Sequence, residues 1–129
     1  MPFELYDFAD NKGRNVMTLW AKEEALSKRD RGQLNQKMDM LQINGMTLHP
    51  HLLAGPINKQ KHIYKLVIHG DRMLRPMLCR GPFRMDAEFT LLLGAIEINF
   101  KLNPDPSAAT THREILLGNR ERRITHERY

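Results

Sequence analysis

The chain has 129 residues, one cysteine and a formal net charge of +5, from 20 lysines and arginines against 15 acidic residues. This length is enough for one domain with its own hydrophobic core and too short for two ordinary domains. The lone Cys79 excludes an internal disulfide, and no apolar run approaches the roughly 20 residues that span a bilayer. The first residues lack the basic and apolar regions of a signal peptide, so we expect a cytoplasmic protein without a membrane partner.

The first half of the chain predicts a strand followed by a helical hairpin. Residues 3–8 alternate apolar and polar side chains, which indicates a short half-buried strand. Asn15 is a suitable N-cap for a helix that reaches about Leu26, and a second apolar stripe follows a charged corner at residues 27–31. Asn44 and the glycine after it end this second helix as a left-handed C-cap does. The two helices are expected to pack antiparallel.

The second half predicts a loop at residues 46–57, a sheet and a last helix. Three β-patterned runs are expected to form the strands, with the third in the centre of the sheet: Ile63–Ile68, Met73–Cys79 and Phe89–Ile98. Pro76 indicates an edge position or a bulge for the second run, because proline cannot donate to the ladder. Gly94 marks a bulge or a close backbone approach in the third. Proline and serine at residues 103–107 start a helix that reaches about Leu117.

We therefore predict an α+β fold in one domain, residues 1–118. It contains an N-terminal strand, a helical hairpin, an antiparallel sheet of three to four strands and a C-terminal helix. Residues 119–129 follow as a polar, basic tail, which is either mobile or a strap whose order depends on a partner.

The positive charge is concentrated on the predicted sheet. Between residues 59 and 84 seven cations stand against the single acid Asp71, a balance of 7 − 1 = +6, so the rest of the chain nearly cancels. The cations are Lys59, Lys61, Lys65, Arg72, Arg75, Arg80 and Arg84. Such a surface favours an anionic partner, with RNA the first candidate. An edge strand whose charges only prevent aggregation is an equally good interpretation.

This order of elements resembles the RelE/ParE superfamily of bacterial toxins, in particular its HigB-like, phage-associated branch. Three segments carry the resemblance: Ile63–Gly70, Leu74–Leu78, and Leu91–Ala95 followed by Asn103-Pro104. The resemblance implies a RelE-like domain that acts as the toxin of a type II toxin-antitoxin system. Such toxins are usually ribosome-associated endoribonucleases that cut messenger RNA, and in the ParE branch they inhibit gyrase. The implied partners are a cognate antitoxin and RNA or the ribosome; the oligomeric state stays open.

The resemblance also implies roles for individual residues. Arg75 corresponds to the arginine that commonly faces the RNA, and Lys65 and Arg80 are further counterparts. Metal-independent cleavage needs a general base, a cation for the phosphorane and a general acid, without a metal or other cofactor. Arg75 is therefore the predicted stabilising cation, and His69 is the predicted acid–base group, with His112 and His126 as alternatives. The predicted RNA contacts are Lys65, Arg72, Arg80 and Arg84.

Strand geometry weakens Arg75 and Arg80 as a joint clamp. Residues five apart on a strand point to opposite faces, so the two share a face only if Pro76 introduces a bulge.

The sequence also departs from the family pattern: Val67 stands where the family usually has a basic residue, Glu97 and Ile98 stand where it usually has lysines, and the family generally lacks a tail like residues 119–129. The replaced lysines and the tail favour an alternative, a non-catalytic phage or prophage protein that keeps the fold and binds a protein or nucleic-acid partner. Gyrase inhibition is a third alternative.

Overall fold

The computed structural model of the protein describes residues 2–57 and 62–129. Its N-terminal part is the predicted strand and helical hairpin: β1 Glu4–Phe8, α1 Val16–Glu23 and α2 Lys28–Asn44. Asn15 caps α1, because its side-chain oxygen accepts the N–H groups of Met17 at 2.9 Å and Thr18 at 3.0 Å. Ser27 caps α2 in the same way, so residues 28–31 are the first turn of this helix and not a corner before it.

The remaining part of the described chain forms nine more strands and a third helix. In chain order these elements are β2 Leu53–Ala54, β3 Ile63–Leu66, β4 Ile68–His69, β5 Met73–Leu74, β6 Met77–Arg80, β7 Glu88–Leu93, β8 Ile96–Ile98, β9 Lys101–Asn103, α3 Pro106–Gly118 and β10 Arg123–Thr125. Six strands form one sheet in the order β10-β1-β7-β6-β3-β2, in which only the pair β1 and β7 is parallel. The other four form a second, antiparallel sheet in the order β4-β5-β8-β9.

The α+β class is confirmed, but the three predicted strands are each divided between the two sheets. Each run continues from the large sheet into the small one: β3 into β4, β6 back into β5, and β7 into β8. Pro76 lies between β5 and β6. Because β6 is flanked by β3 and β7, the edge position is wrong, and the alternative, a bulge, agrees with the register shift between Met77 and Leu78. Gly94 lies between β7 and β8, directly against the Trp20 ring, which confirms a close approach.

Two apolar layers cover the two faces of the large sheet. On one face the helical hairpin buries Leu34, Met38 and Leu41, the predicted stripe of α2, in a cluster that includes Leu78. On the other face α3 packs against the sheet through a smaller cluster of its own. Both faces of the central strands are therefore dry, which agrees with the nearly continuous apolar sequence of β7.

Residues 119–129 form a strap that the chain's own residues hold in place. β10 pairs antiparallel with β1. Behind it, Oδ1 of the fully buried Asp7 lies 2.9 Å from Nδ1 of His126, and its Oδ2 accepts the main-chain N–H of Glu127 at 3.0 Å. The Tyr129 ring packs edge-on against His126, and burial together with the charge of Asp7 raises the pKa of its hydroxyl. The segment extends the sheet and does not leave the domain.

Cys79 offers a direct test of the dry interior between the large sheet and α3. Its side chain is fully buried in β6, and burial raises the pKa of the thiol to about 12. We expect a thiol reagent at pH 8 to react with Cys79 only after unfolding, because the nucleophile is the thiolate. The measurement compares the rate of reaction in buffer and in denaturant. Fast reaction of the native protein would contradict this packing.

Candidate functional site

The second sheet has one face in the core and one face away from the helical hairpin. Three cross-strand neighbours pack into the hairpin core: Ile68, Leu74 and Ile96. Since successive residues of a strand point to opposite faces, the adjoining side chains of His69, Met73 and Glu97 extend from the other face. Arg75, which follows Leu74, joins them there. We call His69, Met73, Arg75 and Glu97 the Arg75 face.

Arg75 is the most buried member of this face, with 3% of the residue exposed. Its Nε lies 3.4 Å from Oε1 of Glu97, and its Nη1 donates to the carbonyl oxygens of Ile68 at 3.2 Å and Leu74 at 2.9 Å. Its main-chain N–H donates to Ala95. The guanidinium thus holds three strands of the second sheet together and carries its charge close to a carboxylate.

His69 is exposed at the end of β4, on a turn that α2 holds rigidly. Oδ1 of the buried Asp30 accepts the main-chain N–H of Asp71 at 2.6 Å, and the Ser27 hydroxyl donates to the Asp71 side chain at 2.6 Å. This hydroxyl contact, followed by Arg29, lowers the pKa of Asp71. A side chain at position 70 would collide with the Asp30 carboxylate, which explains the glycine there. The imidazole of His69 is therefore presented on a fixed backbone.

Lys65 lies on the same side of the chain as His69. Its neighbours Tyr64 and Leu66 pack into the hairpin core, so Lys65 points to the face that carries α3. Lys65 is four residues from His69, so their Cα atoms are at most about 14 Å apart. No acidic residue within the described ranges pairs with it. Lys65 thus extends the Arg75 face with a positive charge that its protein neighbours leave available.

The other predicted RNA contacts lie elsewhere and are paired with acids. Arg72 turns toward α1, where it donates to the Glu24 carbonyl at 2.9 Å and to its carboxylate at 2.8 Å. Arg80 shares a face with Leu78, opposite to Arg75, and pairs with Asp86. Arg84 pairs with the side chains of Glu4 and Glu88. The expected bulge does not bring Arg75 and Arg80 together, and Lys59 and Lys61 lie outside the described residues.

The alternative histidines are engaged in the fold. Nδ1 of His112 lies 2.7 Å from the carbonyl oxygen of Leu92, and its ring stacks on Phe8. His126 is the partner of Asp7 in the strap. In the parts of the chain that the structure describes, no group of three or more His, Cys, Asp or Glu side chains is placed to hold a metal ion. No helix there is long and apolar enough to cross a membrane.

Glu97 is the member of the Arg75 face that is not among the predicted site residues. In the sequence it stands out only because the family usually has a lysine at this position. The alternation of Ile96, Glu97 and Ile98 already places the carboxylate opposite the two isoleucines. Its proximity to Arg75 depends on the pairing of β5 with β8, which no local pattern specifies. The face therefore unites a carboxylate, a guanidinium and an imidazole.

Comparison with models of protein families, with curated proteins and with solved structures found no match to this chain. A function for the protein is therefore inferred from the geometry of the Arg75 face.

Proposed function

We propose that the protein is a HigB-like toxin of the RelE/ParE superfamily that cleaves messenger RNA without a metal ion. One observation carries this proposal: His69 on β4, Arg75 directly after β5 and Glu97 on β8 share one face of the second sheet. These are the three kinds of side chain that metal-independent cleavage uses. The order of strand, helical hairpin, three long strand runs and helix supports the same family.

Each group has a role in the proposed reaction. Glu97 accepts the proton of a 2′-hydroxyl while the 2′-oxygen of the RNA attacks the adjacent phosphorus. Arg75 stabilises the extra negative charge on the phosphoryl oxygens, because a guanidinium keeps its proton and matches phosphate geometry. His69, in its protonated form, gives a proton to the departing 5′-oxygen as the P–O bond breaks. The products are a 2′,3′-cyclic phosphate and a free 5′-hydroxyl, and Lys65 holds a neighbouring phosphate.

The test is cleavage by point variants, each checked by thermal unfolding, because Glu97→Gln also removes the carboxylate beside the buried Arg75 guanidinium. His69→Gln and Glu97→Gln are each expected to lower the rate of messenger-RNA cleavage by about 100-fold or more, the usual effect of losing a general acid or base. Lys65→Ala is expected to weaken substrate binding with little effect on turnover. Lys12→Ala removes a positive charge outside the Arg75 face and serves as the control. Transcript integrity and growth are read after induced expression in a bacterial host.

Intact transcripts and normal growth with a folded wild-type protein would contradict the proposal. Arg75→Ala is a poor first variant, because it would also leave the carbonyls of Ile68 and Leu74 without their donor. Thermal unfolding of each variant separates the two effects. The cognate antitoxin, the ribosome and the cytoplasmic location remain predictions of this proposal.

A second candidate is a non-catalytic phage or prophage protein with the same fold. The observation in its favour is that Arg75 is almost fully buried and occupied by Glu97 and two carbonyl groups. In this case the wild-type protein leaves RNA intact. The Glu97→Gln substitution then changes the affinity for the partner and has no effect on RNA cleavage. No feature of the described residues supports gyrase inhibition, and this alternative is not proposed.

A further inference from the structure

The hairpin between β8 and β9 presents an aromatic side chain that the proposed chemistry does not use. Phe100 is 98% exposed at the tip of this hairpin. Asn99 and Phe100 form the two-residue turn, and both have positive φ angles, 51° and 64°. Such turns favour asparagine at the first position and glycine at the second. Asn99 fits this preference, and Phe100 departs from it.

Phe100 costs the folded protein stability in two ways. A bulky residue with a positive φ strains the backbone, because its Cβ crowds the neighbouring peptide groups. Its ring also stays in water, where an apolar surface gains nothing from folding. Strain and exposure at the same position indicate a functional contact.

The hairpin belongs to the same sheet as the Arg75 face. Glu97 is three residues from Phe100, so their Cα atoms are at most about 11 Å apart. Lys101 follows Phe100, is exposed, and has no acidic partner within the described part of the chain. An aromatic ring with a cation beside it is the usual combination for binding single-stranded nucleic acid.

We propose that Phe100 stacks on an unpaired base of single-stranded RNA and that Lys101 contacts the adjoining phosphate. This inference rests on the proposed function, and it defines the substrate as unpaired RNA on both sides of the cleaved bond. A protein partner is less well supported, because a stable protein interface buries about 1,200–2,000 Å². Among the described residues of the second sheet, the large exposed apolar side chains are Phe100, the half-exposed Ile98 and Met73.

Binding is measured with a short, mixed-sequence 2′-O-methyl RNA, which cannot be cleaved because its 2′-oxygens are blocked. Phe100→Gly is expected to weaken binding about 5- to 150-fold, the range for loss of one stacked base. The same substitution is expected to raise the melting temperature, since glycine adopts this φ without strain. A residue with a merely structural role would not combine these two effects.

Two further variants identify the contact. Phe100→Trp is expected to keep wild-type affinity, whereas Phe100→Leu is expected to bind as weakly as Phe100→Gly. Ile43→Ala is the control, because Ile43 is 76% exposed on α2, away from the turn between β8 and β9. Unchanged affinity of Phe100→Gly, full affinity of Phe100→Leu, or no RNA binding by the wild type would overturn the inference. The first result would show that Phe100 does not contact the RNA, and the second would show that the contact needs an apolar side chain but no stacked ring.

The two proposals fail in different experiments. If His69→Gln and Glu97→Gln abolish cleavage while Phe100→Gly binds RNA normally, the cleavage site stands and the stacking contact falls. If Phe100→Gly loses binding while His69→Gln still cleaves, the stacking contact stands and the assigned acid falls.

Discussion

Replacing Gly94 with alanine is expected to lower the free energy of unfolding by about 2–3 kcal/mol, the upper part of the range for overpacked cores. A Cβ at this position would overlap the Trp20 ring, and Trp20 is itself buried in the hairpin core. The backbone cannot retreat easily, because Gly94 joins β7 to β8 and thus connects the two sheets. Denaturant titration followed by Trp20 fluorescence measures the change.

Gly32→Ala is the matched control for this prediction. Gly32 is an exposed residue of α2, and an added Cβ there would meet no atom within 4 Å. The substitution is expected to raise the free energy of unfolding by about 0.5–1 kcal/mol, since alanine loses less conformational freedom in a helix. Combining Gly94→Ala with Trp20→Leu should recover part of the lost stability. This variant is followed by circular dichroism, because Trp20 is the only tryptophan in the sequence. Equal effects at the two glycines would show that Gly94 is not close-packed.

Without residues 119–129, the chain is expected to be largely unfolded at 25 °C and to show no cooperative melting transition. The truncation strips β10 from β1 and leaves the Asp7 carboxylate buried without the His126 and Glu127 contacts. It also takes Arg123 from Glu88, another fully buried carboxylate, so Glu88 keeps only Arg84 and Asp7 keeps only Asn15. Breaking one buried ion pair costs about 3–5 kcal/mol, which together with the lost strand pairing is comparable to the whole stability of a small domain. Circular dichroism during heating measures the loss.

Two point variants resolve this effect. His126→Ala is expected to lower the free energy of unfolding by about 1–3 kcal/mol, because one oxygen of Asp7 loses its partner in the interior. Arg128→Ala breaks an exposed ion pair with Asp39 in the same strap and is expected to cost less than about 1 kcal/mol. A truncated protein with an unchanged melting temperature would show that the strap adds nothing to the fold.

The local parts of this fold could be predicted, and the long-range parts could not. Asn15 and Gly45 mark helix ends through their own backbone preferences, and β-branched, aromatic and apolar residues indicate the three strand runs. The division of these runs into two sheets depends on how breaks at residues 67, 75–76 and 94–95 align across strands. Arg123–Thr125 form a strand only because they pair with β1, more than 100 residues earlier. The composition of this segment alone therefore predicts a tail.

The candidate site shows the same limit. Charge density drew attention to Arg72, Arg80 and Arg84, but it does not reveal the carboxylates that these side chains meet. The acidic partners come from the residue after α1, from the loop before β7, from β7 itself and from β1. Arg75 and His69 share a face because of strand register, and the sequence supplies only the side-chain alternation on each strand.

The position of β10 beside β1 also has a consequence for synthesis. During translation β1 emerges first, yet one of its edges stays unpaired until Arg123–Thr125 leave the ribosome. Contacts this distant in sequence form slowly, because a long loop must close before they yield any energy. A nascent chain therefore carries an open strand edge, the kind of surface on which chains aggregate or chaperones bind. We expect the domain to complete its folding only when these last strand residues are free.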